Sequence, residues 1–411
     1  PSINTASGII ENAAEVGLSA DLISEAQFFR GFYYFLLVQT YGGVPLDLGA
    51  GELKFNTEPS RGSVRNTVPE VYTRAIFPDL LAAVNDLPDN PRLVGAATKT
   101  VARLYLAKAY LTYGWWLQNP NNIPTYPEAA RTDPDGHDAN WYFQQAYDLA
   151  AAGIDNPGPF GLQDTFYEAH LGENDRNNEM LLFADHTEAS AKYNGADLGY
   201  SNANGADNAA VWMVTWNYTE IRSSDKSTVQ REAAQDYGRP WTRMAPTINV
   251  FKNTFAEKEL DSRYDGTFVT TYRANYNLNN DDTPSYANAN GLPVGPGDKV
   301  LSFLDEDDAG VVYPSGAGAS NVGGGELPGR ADYVINPSGI SRVVYPGLWK
   351  LGTYRTDNNG GLGQPNGAST RPFNIAKFTE LYFVAAEAVV KGAVPQAGKS
   401  ARELINVVRA R

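Results

Sequence analysis

The chain has 411 residues, 42% of them hydrophobic, and sets 33 Lys and Arg against 47 Asp and Glu for a formal charge of −14. That acidity excludes a protein that tracks nucleic-acid phosphates and gives no electrostatic reason to lie on anionic lipid. Cysteine is absent, which removes disulfides, thiolate nucleophiles and Cys-based zinc sites, and no apolar run reaches the roughly 18 residues that would span a bilayer. The excess lies in aromatics, 7 Trp, 24 Tyr and 17 Phe beside 39 Gly and 25 Pro. Ordered loops pinned by rings have this composition, whereas disordered segments are aromatic-poor.

In chain order, a first helical block covers residues 1–155. The sequence opens at Pro1 in what reads as mid-element, so a longer parent chain is expected, and likewise at Arg411, where a helical pattern stops uncapped. After an initial helix from Ile3, Ser19 is placed as the N-cap of a helix ending near Tyr41, with Asp21 in its first turn. Leu22, Ala26, Phe29, Tyr33, Leu36 and Leu37 follow one face. Phe32, Phe35 and Val38 widen it until the second half is greasy nearly all round, as in a helix packed on several sides. Gly42-Gly43 ends it, and Val44-Pro45 cannot continue it.

Further helices are expected over Val68–Leu87, Thr98–Leu117 with Thr98 as cap, and Ala139–Ile154. Ala102, Ala109, Ala146 and Ala150 recur at helical spacing and let axes approach closely. Helical pairs of this kind suggest a tetratricopeptide-like stack.

Residues 156–372 are dominated by turn chemistry. Asn194-Gly195, Asn204-Gly205, Asn290-Gly291, Gly323-Gly324-Gly325 and Asn358-Asn359-Gly360-Gly361 punctuate them. Short strands are expected at Met180–Phe183, Thr267–Tyr272 and Arg342–Tyr345. A loop-rich stretch of this length inside a folded chain is usually functional surface. Helical periodicity returns in residues 373–411, over Asn374–Lys391 and Gly398–Arg411. The fold expected is mainly α, a tetratricopeptide-like scaffold of helical pairs with a large loop-rich insertion carrying few short strands, as one domain over 1–411.

Within this pattern, Ser24–Leu46 resembles the signature helix of the SusD/RagB family, glycan-binding lipoproteins of the Bacteroidetes outer membrane. Glu25-Ala26 and Arg30 match its start, the Tyr/Phe-rich run its body, and Tyr41-Gly42-Gly43-Val44-Pro45-Leu46 its end. Ile3–Ala13 looks like the family's preceding helix. Thr98–Tyr113 resembles its Thr-x-x-x-Ala-x-x-x-Leu-Ala-x-x-Tyr-Leu helix. Phe378–Lys391 with Glu403–Arg411 resembles its last scaffold motifs, which end in Val-Arg-x-Arg. The loop-rich middle matches nothing in the family pattern. The family's lipidated cysteine and the helical segment that follows Val-Arg-x-Arg are not in this sequence.

The resemblance implies no catalytic activity and no cofactor. It implies a protein on the extracellular face of the outer membrane, anchored only through an N-terminal lipid, that takes an oligosaccharide and passes it to a SusC-like TonB-dependent transporter. A peptide-binding or structural member of the same importer family is the alternative, and a glycoside hydrolase a third. Acidic pairs are plentiful, but a sequence does not show two carboxylates facing across a sugar. Glu25, Arg30 and Glu387 read as charges pairing between scaffold helices.

His137, His170 and His186 have no helical metal-site spacing. Asp281-Asp282 and Asp305–Asp308 offer hard oxygen ligands for Ca²⁺ but lack an EF-hand's spacing, and read first as solvated loop acidity. The candidate ligand-binding residues are aromatic, because a sugar's apolar C–H face matches a ring plane. They are Trp212, Trp216, Tyr218, Tyr237 and Trp241 in the loops, and Trp115 and Trp116 at a helix end beside Asn119, Asn121 and Asn122. For each, pinning a loop onto the scaffold is the competing role.

Overall fold

The computed structural model describes residues 1–58, 62–185, 215–238, 240, 245–314, 321–354 and 371–411. The chain folds as two compact units. One comprises Pro1–Gln163, Asn178–Phe183 and Asn374–Arg411, the other Asp164–Asn177 and Ala184–Phe373.

The first unit is helical. It holds α1 (Ser2–Val16), α2 (Ala20–Tyr41), α3 (Val68–Val71), which runs through a π-turn at Tyr72–Ile76 into α4 (Phe77–Asp86), then α5 (Lys99–Gln118), α6 (Ala139–Asp155), α7 (Thr379–Val390) and α8 (Ala401–Arg409). Each packs on its neighbour in chain order: α1 on α2, α2 on α4, α4 on α5, α5 on α6, α6 on α7 and α7 on α8. This nearest-neighbour stacking is how helical repeats bury faces that no single pair could cover. Ala102, Ala109, Ala146 and Ala150 are fully buried. A Cβ on Gly114 of α5 would meet the Phe143 ring of α6 at 2.7 Å. Small residues therefore set the closest approach of these two helices.

The caps show which local signals act. Thr98 accepts from the Val101 N–H, and Ser400 with Glu403 forms a reciprocal capping box on α8. Ser19 stands at the α2 N-cap but makes no cap bond; its hydroxyl serves the Asp21 carboxylate instead. The helix expected as one over Val68–Leu87 contains the π-turn, and Leu87 lies beyond its end.

Of the three scaffold charges, Arg30 pairs between helices as expected, Glu25 reaches a loop arginine, and Glu387 accepts from the Trp115 Nε1. Arg30 and Asp79 form a buried bidentate pair at 2.7 and 2.8 Å, and Glu25 holds Arg92 at 3.1 and 2.9 Å. Glu179 is fully buried. It accepts from Arg411, from the Thr379 hydroxyl and from the Gln163 N–H.

The strands are short. They are β1 (Met180–Ala184), β2 (Arg222–Ser223), β3 (Lys226–Ser227), β4 (Phe268–Val269), β5 (Thr271–Arg273), β6 (Tyr286–Ala287), β7 (Pro293–Val294), β8 (Lys299–Phe303), β9 (Tyr333–Ile335), β10 (Gly347–Leu348) and β11 (Phe373–Lys377), with β1 paired to β11. In the second unit β8 lies between β5, antiparallel, and β9, parallel. No strand forms over Arg342–Tyr345. Pro346 removes a backbone donor there, the ladder starts one residue later at Gly347, and Val344 and Tyr345 turn into the core.

That core is aromatic, with Trp216, Tyr218, Tyr272, Tyr276, Tyr345 and Phe251 buried together. Side-chain amides replace missing ladder partners. Asn288 donates to the Val300 and Ala331 carbonyls and accepts from the Ser223 hydroxyl. Arg371 spends its guanidinium on both Asp175 oxygens and on the carbonyls of Lys350, Gly352 and His170.

Candidate functional site

The end of α2 is built by its glycines. Gly42 adopts φ 72 and ψ −141, a conformation open mainly to glycine, and its N–H caps the helix by donating to the Val38 carbonyl. The next N–H, of Gly43, turns outward and donates to the Tyr126 carbonyl at 2.7 Å. A side chain on Gly42 would lie 2.5 Å from that same carbonyl oxygen. The glycine pair is thus both a helix stop and a dock for a second loop.

That loop leaves the end of α5. Asn119 closes the helix in the left-handed region, and its amide both donates to and accepts from Ile123. Arg131 crosses back, donating to the Trp116 carbonyl at 2.6 Å and to the Ile123 carbonyl. Between the ends of α2 and α5 and this loop lies a pocket of about 630 Å³, lined by Gln39, Tyr41, Trp115, Trp116, Tyr126 and Arg131, among others. Ligand pockets of small molecules fall in this range.

The rings at this pocket divide into pinned and open. Trp116 lies between Tyr113, stacked at 5.6 Å and 6°, and the Arg131 guanidinium at 4.3 Å. Both its faces are covered, yet its buried Nε1 has no hydrogen-bond partner. Trp115 donates its Nε1 to Glu387 at 2.7 Å and carries Lys391 above its ring at 3.8 Å. Tyr41 and Tyr126 are open, 57% and 67% exposed. Arg65 sits over one face of Tyr126 at 4.7 Å. Burial pulls the Arg131 guanidinium below its ordinary pKa, although a guanidinium stays charged at any working pH.

The expected loop aromatics stand elsewhere. Trp216 and Tyr218 are buried to 1% and 0% exposure. Trp216 packs edge-on against Tyr272 and donates to its hydroxyl, and Tyr218 stacks on the same ring. Stacking on a sugar gives way for both to core packing, because no face of either ring is open. Tyr237 is half-buried against Tyr218, and burial pushes its hydroxyl up to about 12. Trp212 and Trp241, with His186, lie outside the described residues. Of the described members of the predicted set, the pocket brings together Trp115 and Trp116. Tyr41 and Tyr126 were not predicted, since a Tyr at a helix end and a Tyr before a proline look like scaffold and turn.

Among the described residues no three His, Asp or Glu side chains gather around a common point. Asp307 takes Lys252 and the Ser338 N–H, which hold its pKa down to about 2, and Asp281 takes Tyr286 and the Thr283 N–H.

Residues 6–111 match the family model SusD-like_3, described as starch-binding associating with outer membrane. Over residues 6–111 the chain is SusD-like. Among solved structures it is similar to a SusD superfamily protein from Parabacteroides distasonis, with 16% identity, a TM-score of 0.54 and coverage of 99% of this chain and 68% of that one. A laminarin-binding SusD-like protein matches at 19% identity and TM-score 0.56, covering 99% and 68%. A third, crystallised with a xylogluco-oligosaccharide, matches at 16% and 0.52, covering 100% and 63%. At such identities the likeness shows the fold. The chain spans about two thirds of the length of these structures, between 63% and 68%. A search of curated protein sequences finds no match.

The family is one of non-catalytic binding proteins associated with the outer membrane. Among the described residues no helix is long and apolar enough to cross a membrane.

Proposed function

We propose that this SusD-like protein captures an oligosaccharide at the extracellular face of the outer membrane and passes it to a SusC-like TonB-dependent transporter. In this reading the longer protein carries a lipid anchor N-terminal to Pro1. One observation carries the binding step: an open pocket whose mouth presents two exposed phenol rings, Tyr41 and Tyr126, backed by indole edges and amides. Rings supply apolar planes for the C–H faces of a sugar, and amides supply directional contacts to its hydroxyls. Nothing in such a site need break a bond. The laminarin and xylogluco-oligosaccharide relatives support the substrate class for this fold.

Calorimetric titration against neutral and acidic oligosaccharides, with mixed peptides as a control, tests the reading. Saturable binding of one saccharide, weakened by Tyr126→Ala, is expected. Binding of peptide alone, or of nothing across the panel, overturns it. Co-purification of the full-length protein with a TonB-dependent barrel tests the delivery step.

A further inference from the structure

The charges around this pocket run against those of the chain. The chain carries a formal charge of −14, yet among the described residues no carboxylate lines the pocket and Arg131 does. Arg131 is partly buried and, among the described residues, has no carboxylate partner; its two recorded hydrogen bonds go to the carbonyls of Trp116 and Ile123. A guanidinium offers five N–H donors, so its other donors are uncommitted. Arg65, on the Tyr126 ring, is also without a carboxylate partner among the described residues. The buried Trp116 Nε1 is a further donor without an acceptor. Glu387 and Lys391 are both engaged on Trp115, the one at its Nε1 and the other over its ring. Elsewhere on the scaffold Arg30 pairs with Asp79, Arg74 with Glu52 and Glu70, and Arg92 with Glu25, while Arg103 donates to the Asn156 carbonyl.

A partly buried cation without a counter-ion costs desolvation that two carbonyls and a ring face return only in part. An incoming carboxylate returns it, because a carboxylate matches the planar guanidinium fork and makes charge-assisted hydrogen bonds. Resting on the oligosaccharide reading above, we infer that the pocket selects an acidic saccharide, a uronic-acid oligosaccharide whose carboxylate meets Arg131 and Arg65 while its ring lies on Tyr126 or Tyr41. The arginines give the charge preference, and the tyrosines give affinity common to neutral and acidic sugars.

The test titrates matched pairs by calorimetry: oligogalacturonate against oligogalactose, oligomannuronate against oligomannose, and oligoglucuronate against oligoglucose. The expected result is a uronate bound about tenfold or more tighter than its neutral partner. That preference should shrink as NaCl rises from about 0.05 M to about 0.5 M. Arg65→Gln, a change at an exposed residue, should lower uronate affinity more than neutral affinity and so shrink the preference. Arg131→Lys keeps the charge but loses the fork, and should lower the preference too. Equal or tighter binding of the neutral partner overturns the inference and leaves the oligosaccharide reading standing. Binding of a sulfated but not a carboxylated saccharide also overturns it. Binding of no saccharide overturns both.

Discussion

The backbone N–H of Gly43 donates to the carbonyl oxygen of Tyr126 at 2.7 Å, joining the end of α2 to the loop that closes the pocket. The contact needs glycine on its α2 side. A Cβ on Gly43 would fall far inside contact distance of the Asn66 carbonyl oxygen, which is backbone and has no rotamer by which to yield. Gly43→Ala should therefore cost about 3 kcal/mol, in the upper part of the range for single substitutions. Gly17→Ala is the contrast. Gly17, unlike Gly43, has a positive φ, 66, but a Cβ there meets nothing within 4 Å, so the cost should be about 1–2 kcal/mol of backbone strain alone. Thermal unfolding of both variants measures the difference; equal losses would mean the close approach carries no energy.

That contact also shows how much of the site could be read in the sequence. Tyr41-Gly42-Gly43-Val44-Pro45 announces a helix stop, and the glycines do stop α2. What docks on the stop comes from residue 126, more than eighty positions away, and no local pattern records that pairing. The same limit explains the tryptophans. A Trp in a loop-rich stretch reads equally well as a platform or a pin, and only burial separates the two. Trp216 is a pin, fully covered by the Tyr272 and Phe303 rings and the surrounding core. The helices were legible because periodicity, Thr98 and Gly42 act within a few residues. The strand expected at Arg342–Tyr345 failed at a neighbour, Pro346, whose missing N–H moves the ladder along.

Ring exposure predicts which aromatic substitutions touch binding and which touch folding. Tyr126→Ala and Tyr41→Ala remove exposed rings, so stability should hold while saccharide affinity falls about tenfold for each ring that stacks. Trp216→Ala should do the reverse, leaving a cavity in the second unit at a cost of about 3–5 kcal/mol. Calorimetry and thermal melts on the three variants separate the two effects. Loss of binding in Trp216→Ala, with its melt unchanged, would move the site into the second unit.

Arg371 makes a prediction about shape rather than charge. Its fork reaches Asp175 and three backbone carbonyls at once, and both partners of the pair are nearly buried. A lysine keeps the charge but reaches only part of this set. Arg371→Lys should therefore lose about 3 kcal/mol or more, most of the 3–5 kcal/mol expected for breaking a buried pair outright. A melt within a degree of the wild type would show that the point charge alone suffices.

Glu179 is a fully buried carboxylate of the first unit that contributes to its pH dependence. Burial pushes its carboxyl upward, but the hydrogen bonds from Arg411 and Thr379, the Gln163 N–H and the Arg411 charge outweigh that and set it below its ordinary value. A carboxyl whose folded pKa is depressed binds fewer protons folded than unfolded. It contributes stability above its unfolded pKa of about 4.3, and that contribution is lost as pH falls through the lower, folded value. The wild type should thus lose stability steeply below about pH 4.3. Glu179→Gln should melt lower at neutral pH, where a neutral amide replaces the paired carboxylate. It should also show a shallower decline in acid, because one proton-linked group is gone. The two melting curves plotted against pH should converge toward the acid side. Parallel curves would place the acid sensitivity elsewhere in the molecule, and with it the claim that this buried cluster ties β1 to the start of α7.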